Sequence, residues 1–346
     1  MTSYNRRKFI QTSTLAAIGT GIAGNAFGKQ LTQLYNPWMK TGSSGYLDQG
    51  RVGIIGLDTS HVIVFSQALN AANPRPELAG FKVVAAYPHG SKDIAYGLDR
   101  KPKFIEQIKG MGIEIVDSID DLLTKVDVVL LESNDGRVHL EQLIPVLKAG
   151  KRVFVDKPIA ASLQGGVEIF RQAKKYNIPI FSASSLRYVP QVQSLANGKL
   201  GKVIGADTYS PAHLEKTHPD LFWYGIHGVE ILYTLMGTGC KTVTRTATVD
   251  TDVVVGTWDD GRVGVFRGMR AGKQDYGGTA FCEKGIESIA PYSAYVDLLI
   301  QIIKYFRTGE VPVQPEETLE MLAFMEAADA SKKHGGKPVD LQQISI

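Results

Sequence analysis

From residue 51 onward, short β-branched and aliphatic runs alternate with helical patterns, and the two halves of the chain do this differently. Residues 51–56 read as a strand and 60–70 as a helix, with further strands expected at 82–87, 113–116, 127–132 and 152–156. The run Val128-Val129-Leu130-Leu131 is wholly apolar, as a strand buried on both faces requires. A helix over 139–149 carries Pro145 and is expected to kink there. Strands alternating with helices imply a parallel sheet covered on both sides. A helix at 166–175 and a strand at 178–183 follow. Strands then succeed one another with little helix between, at 202–209, 241–248, 252–258 and 262–269. The last two are joined by Asp259-Asp260-Gly261, a hairpin signal. Two helices close the chain, one with Tyr295, Leu298, Ile302 and Phe306 on a single face and one over about 315–331.

The chain has 346 residues, 44% of them hydrophobic, which excludes a disordered or collagen-like chain. Its 38 basic and 35 acidic residues leave a formal charge of +3. So small a surplus, without a Lys/Arg stripe interleaved with aromatics, gives no reason to expect nucleic acid. The surplus sits in Arg6, Arg7 and Lys8, because residues 1–28 contain no Asp or Glu. The run Asn5-Arg6-Arg7-Lys8-Phe9-Ile10, the mildly apolar 15–23 and the small residues Gly24, Ala26 and Gly28 resemble a twin-arginine export signal. The apolar stretch is too short to span a bilayer. Residues 1–28 are therefore expected to direct export to the periplasm, with 29–50 a flexible leader. Cys240 and Cys282 are expected to be two buried free thiols.

After the first strand comes Gly53-Ile54-Ile55-Gly56-Leu57-Asp58-Thr59-Ser60-His61. A dinucleotide-binding turn has G-x-G-x-x-G here, so that backbone can approach a pyrophosphate at the helix start. Only Gly56 is in register; Asp58 holds the second glycine position and His61 the third. A carboxylate at that point is itself the anion the helix dipole favours, and Asp58 is expected to cap Ser60 or His61 and repel phosphate. The second strand ends at Tyr87-Pro88-His89-Gly90-Ser91-Lys92 without the acid that usually takes the ribose diol. Ser91 and Lys92 would suit a 2′-phosphate, which favours NADP over NAD if a cofactor is held. A capped, empty turn of the same shape is the other reading. The expected architecture is α/β: an N-terminal Rossmann-type parallel-sheet domain at 51–158, and a C-terminal α+β domain with a largely antiparallel open sheet at 159–346.

The fourth strand runs into Glu132-Ser133-Asn134-Asp135-Gly136-Arg137-Val138-His139, and the fifth into Asp156-Lys157-Pro158. With Leu186-Arg187-Tyr188-Val189-Pro190, Gly225-Ile226-His227 and the helix from Pro315 to Ser331, this ordered set resembles the Gfo/Idh/MocA oxidoreductase family across roughly 51–340. The resemblance implies a nicotinamide cofactor facing Gly56, Asp58, Thr59, Ser60, His61, Ser91, Lys92, Ser133, Asn134, Asp135 and Asp156. It implies catalysis by Lys157 and His227, and substrate contacts from Arg187, His213, Trp223 and Tyr224. The departures are Asp156 for the family's Glu, Trp223 for the Asp expected to work with His227, and Asp135-Gly136 for the family's usual Pro-Asn before the helix histidine.

A lysine in a cleft serves as base or as a cation polarising oxygen, and a histidine transfers protons near neutrality. Glu230, three residues after His227, shares its helix face and is expected to orient it. His213, His218, Asp220, His227 and Glu230 match no metal-ligand spacing, so no metal is expected. The expected function is an NAD(P)-dependent oxidoreductase acting on a sugar, glycoside or cyclitol, with a tightly held cofactor regenerated within each cycle. Redox-assisted cleavage of a glycosidic bond, or sugar binding by a fold that has lost its cofactor, are the alternatives. A homo-oligomer through the C-terminal sheet is expected on the same resemblance.

Overall fold

The computed structural model describes residues 45–292 and 294–344. The expected export signal (1–28) and most of the leader lie outside the described residues. The first domain runs β1 (Gly50–Ile55), α1 (His61–Asn70), β2 (Phe81–Tyr87), α2 (Ala95–Leu98), α3 (Lys101–Gly110), β3 (Glu114–Ile115), α4 (Ile119–Lys125), β4 (Val128–Leu131), α5 (His139–Lys148), β5 (Arg152–Val155), α6 (Leu163–Lys175) and β6 (Ile180–Phe181). Its six strands are parallel in the order β3-β2-β1-β4-β5-β6. The strand order reverses between β1 and β4, so their carboxyl ends flank a crevice. All four residues of β4 are fully buried, as their apolar run demands. Helix starts are set locally: Ser118 caps α4 through the N–H of Asp121, and Ser162 caps α6 through that of Gly165. Pro145 sits inside α5, which continues through it.

The expected boundary at residue 158 falls too early, because β6 pairs with β5 and completes the first sheet. The second domain then follows with a 3₁₀ turn at Ser185–Tyr188, α7 (Pro190–Ala196), β7 (Val203–Pro211), α8 (Ile226–Met236), β8 (Cys240–Ala247), β9 (Thr251–Trp258), β10 (Val263–Met269), β11 (Gly277–Cys282) and β12 (Gly285–Ile289). Helices α9 (Tyr295–Thr308) and α10 (Pro315–Lys333) and strand β13 (Val339–Asp340) complete it. The sheet order is β12-β11-β7-β10-β9-β8-β13, antiparallel except for β7 beside β10. Helix α8 is buried on almost every side and lies so close to the sheet that a Cβ on Gly228 would stand 2.3 Å from the Phe266 ring.

Helix α9 returns to the first domain. Arg152 at the start of β5 donates to the carbonyls of Phe306 and Arg307, and Tyr305 donates to the Pro179 carbonyl. Arg307 reaches the Glu77 carbonyl at 2.8 Å. These bonds hold the two domains around one cleft. Cys240 and Cys282 are separate, buried thiols.

Candidate active site

A cavity of about 380 Å³ lies where the carboxyl edge of the parallel sheet meets α8, the 3₁₀ turn and the start of α9. Asp58, Thr59, Ser60, His61, Asn134 and Lys157 form its first-domain wall. Trp223, Tyr224, His227, Asp275 and Tyr276 face them from the second domain, and Tyr295 closes one end. Gly56 lies beneath. Its φ of +85° and a Cβ position 2.5 Å from Ser133 Oγ leave room for no other residue.

The chain's own side chains bridge the crevice beside this cavity. The Asp58 carboxylate does not cap its own helix, whose Ser60 N-cap has no side-chain bond. Its Oδ2 accepts the Ser91 N–H at 2.8 Å and its Oδ1 the Asn134 N–H at 3.0 Å. It therefore occupies, as an internal anion, donors on both rims of the crevice. The segment after β2 lies directly on it: a Cβ on Gly90 would meet Asp58 Oδ2 at 2.1 Å, and one on Gly97 would meet Asp58 Cβ at 2.9 Å. Arg137 stitches the rims together from above, bonding Asp135 at 2.9 and 2.7 Å and Asp93 on the far side. Ser91 and Lys92, the residues expected near a 2′-phosphate, differ in exposure. Ser91 Oγ accepts the Ile94 N–H at 3.1 Å, while Lys92 stands exposed. Ser133 donates to Gln142 at 2.6 Å, and buried Asp135 faces His218 at 3.4 Å as well as Arg137.

Below the cavity wall three charged side chains converge. His61 Nδ1 lies 3.3 Å from Glu132 Oε2 and 3.3 Å from Asp156 Oδ1, and both carboxylates are completely buried. Their positions follow from strand register. Leu131 pairs with Ile55 and with Val155, and the ladder continues through Glu132 N to Ile55 O and Asp156 N to Leu131 O. The next residue of each strand thus emerges beside its neighbour. Burial opposes a charged His61, but Asp156 and Glu132 raise its pKa overall. Burial and the adjacent Asp156 push Glu132 up. Asp156 stays low despite burial, under the charges of His61 and Lys157.

His227 is buried, and its Nδ1 lies 2.7 Å from Ser184 Oγ, which also accepts the Leu186 N–H. Burial first, then the charges of Lys157 and His61, hold its pKa well below the usual histidine value, so the ring is neutral near pH 7. Glu230 does not orient it. That carboxylate pairs with buried Arg187, which also bonds Glu317. Arg187 is thereby a buried ion-pair node outside the cavity wall, and not a substrate contact in this arrangement. His213 is exposed and packs edge-on against Tyr224, their ring centroids 5.2 Å apart. Asp220 is held by Arg245 and Lys332, so it is not free to join the neighbouring histidines.

Glu132, Ser184, Tyr96, Asp275, Tyr276 and Tyr295 all bear on the site but were not expected from the sequence. Glu132 had a visible signal: it is an acid placed directly after a four-residue apolar strand, as Asp156 is after the next one. The tyrosines had none, because a short helix, a loop and a helix start far apart in the chain bring them together.

Comparison with known proteins agrees with this architecture. Residues 51–183 match the Gfo/Idh/MocA family, described as an oxidoreductase family with an NAD-binding Rossmann fold. An uncharacterized oxidoreductase of Streptococcus pneumoniae is 27% identical over 154 residues, 39% of this chain and 41% of that protein. A 1,5-anhydro-D-fructose reductase of Ensifer adhaerens is 28% identical over 115 residues, 31% of this chain and 34% of the relative. The chain thus matches about two-fifths or less of the length of these two relatives. Among solved structures, a probable dehydrogenase from Thermotoga maritima superposes with a TM-score of 0.71 at 21% identity, covering 85% of this chain and 100% of the other. Scyllo-inositol dehydrogenase from Lactobacillus casei, solved with NAD(H) and scyllo-inositol, gives 0.67 at 16% identity, with 86% and 100% covered. The two solved structures share the fold of both domains. The resemblance to the Gfo/Idh/MocA oxidoreductase family is thus carried by residues 51–183.

Proposed function

We propose that the chain acts on one small polyhydroxylated molecule, a sugar, glycoside or cyclitol, in its keto form, and that Lys157 polarises the carbonyl oxygen while His227 takes the proton from the neighbouring carbon and returns it. The cavity carries this reading. Its volume, about 380 Å³, suits a single monosaccharide-sized ligand. Its aromatic wall of Trp223, Tyr224, Tyr276 and Tyr295 offers stacking faces with polar rims. Lys157 makes no ion pair among the described residues, so its ammonium is available to a ligand oxygen. Neutral His227 can accept a proton. The inositol and sugar names borne by the relatives and neighbours support the substrate class.

A second reading, NAD(P)-dependent oxidation of such a substrate, is favoured by the family match of 51–183. Against it stand the Asp58 carboxylate on the Ser91 and Asn134 N–H groups and the Arg137 bridge. No hydride step is assigned on this geometry. The test is a panel of inositols, hexoses and their keto forms incubated in D₂O with and without added NAD⁺ or NADP⁺. Nuclear magnetic resonance then follows deuterium entry at carbon. Exchange without nucleotide that disappears in Lys157→Ala supports the proposal. Turnover that occurs only with nucleotide favours the dehydrogenase reading.

We further propose export by residues 1–28, on the Arg6-Arg7-Lys8-Phe9 pattern. Arg6→Lys with Arg7→Lys should leave the chain in the cytoplasmic fraction; unchanged export would reject this. A pairing of two copies through the C-terminal sheet is supported by Ile204, Val263 and Ile286, each roughly half exposed or more on that sheet.

A further inference from the structure

We propose that His61, Glu132 and Asp156 form a binding site for one divalent transition-metal ion at the floor of the cavity. The inference is independent of which substrate or nucleotide the chain takes. It rests first on donor type and spacing. One imidazole nitrogen and two carboxylates lie with their ligand atoms all within 4.8 Å of one another. Zinc-type bonds of about 2.0–2.2 Å at tetrahedral angles place neighbouring donors about 3.3–3.6 Å apart. The two measured separations from Nδ1 are both 3.3 Å.

A second observation concerns what these atoms lack. His61 Nδ1, both oxygens of Glu132 and both oxygens of Asp156 are buried, and beyond the two 3.3 Å contacts to His61 none makes a well-formed side-chain hydrogen bond. An ion pair alone would leave this unexplained. Nδ1 carries at most one proton, so it can serve both carboxylates only through a bent, shared bond weaker than two linear ones. Two carboxylates without well-formed hydrogen bonds in a dry interior are among the costliest arrangements a fold can hold. A divalent cation between the three groups balances both carboxylate charges and satisfies the ring nitrogen in one step.

The framework is rigid. Glu132 and Asp156 are tied by backbone bonds to adjacent strands, and His61 is the first residue of α1, its ring packed between Phe65 and Tyr295 at 5.5 and 4.9 Å. A mixed nitrogen–carboxylate set selects zinc, manganese or iron over magnesium or calcium. Three protein donors leave positions for water or substrate oxygen, and the His61 ring and the Lys157 that follows Asp156 both line the cavity.

The test uses the full chain after dialysis against chelator, with Co²⁺ and Zn²⁺ as probes. Equilibrium dialysis with elemental analysis should give one ion per chain, and Co²⁺ should develop visible absorption that Zn²⁺ displaces. Glu132→Gln and Asp156→Asn, nearly isosteric changes, should each weaken binding at least about 100-fold. Wild-type protein that leaves the Co²⁺ spectrum as that of the free ion would overturn the proposal. So would full binding retained in both variants, which would place the ion elsewhere. Should either variant fail to fold, the wild-type spectrum and stoichiometry decide alone.

Discussion

Replacing Asp58 by glycine restores the second glycine of the phosphate-binding pattern and removes the carboxylate that spans the crevice. Two charge-assisted bonds are lost, to Ser91 N at 2.8 Å and Asn134 N at 3.0 Å. Bonds of that kind contribute about 1.5–3 kcal/mol each. Part of this is spent on keeping the carboxylate itself out of water, since burial raises the Asp58 pKa despite both bonds. A net latch of about 3 kcal/mol follows, and at about 1.4 kcal/mol per tenfold it weakens nucleotide affinity by about 150-fold. Asp58→Gly should therefore tighten NADH affinity by about two orders of magnitude, read by fluorescence titration. It should lose about 2–4 kcal/mol of stability in urea unfolding, because two N–H groups lose their acceptor. Asp58→Asn keeps an acceptor without the charge and should fall between. Identical NADH affinity in wild type and Asp58→Gly, with both folded, would refute the latch.

Ser184→Ala frees His227 Nδ1, so proton exchange on the substrate should fall about tenfold or more with little change in substrate affinity; a change confined to affinity would remove Ser184 from the positioning of the ring. Arg187→Ala leaves Glu230 and Glu317 without their cation and should destabilise the fold by about 3–5 kcal/mol, while ligand affinity per folded molecule stays unchanged. A large loss of affinity in folded protein would instead return Arg187 to the substrate site. Glu320 Oε1 accepts from Gly239 N and Cys240 N at 2.8 Å, yet burial raises its pKa from 4.5 to about 7. The folded chain then holds a proton that the unfolded chain releases. The Glu320 contribution to stability is full below about pH 4.5 and declines up to about pH 7, by about 3 kcal/mol in all. Glu320→Gln should flatten that part of the profile in urea unfolding; an unchanged slope would place the titration elsewhere.

Much of the parallel sheet was legible because its strands are short, β-branched and buried on both faces, and the hairpin at 259–261 because its turn residues announce it. Helix α3 was not foreseen: most of Lys101–Gly110 faces solvent, so its apolar period is weak. Strands β11 and β12 were missed because Gly277-Gly278 and Gly285 dilute the β signal. At the site, the sequence placed Asp58 at the helix start and suggested that it would exclude phosphate. The means differ, since the carboxylate reaches across to other loops. The Glu230–His227 pairing failed because spacing along a helix says nothing of a rival partner, and Arg187 comes from a turn more than forty positions away. The convergence of His61, Glu132 and Asp156 needed the strand order itself, which no local pattern encodes.

Asp58 and Arg137 bridge the dinucleotide crevice, a latch expected to keep nucleotide out and leave a cavity for one small ligand. Its most direct test is titration of the wild-type protein, purified without added nucleotide and shown by mass spectrometry to carry none, with NADH and NADPH. No saturable binding is expected at concentrations up to about 1 mM, the weak end of specific affinity. One-to-one binding of either nucleotide in the micromolar range would contradict it.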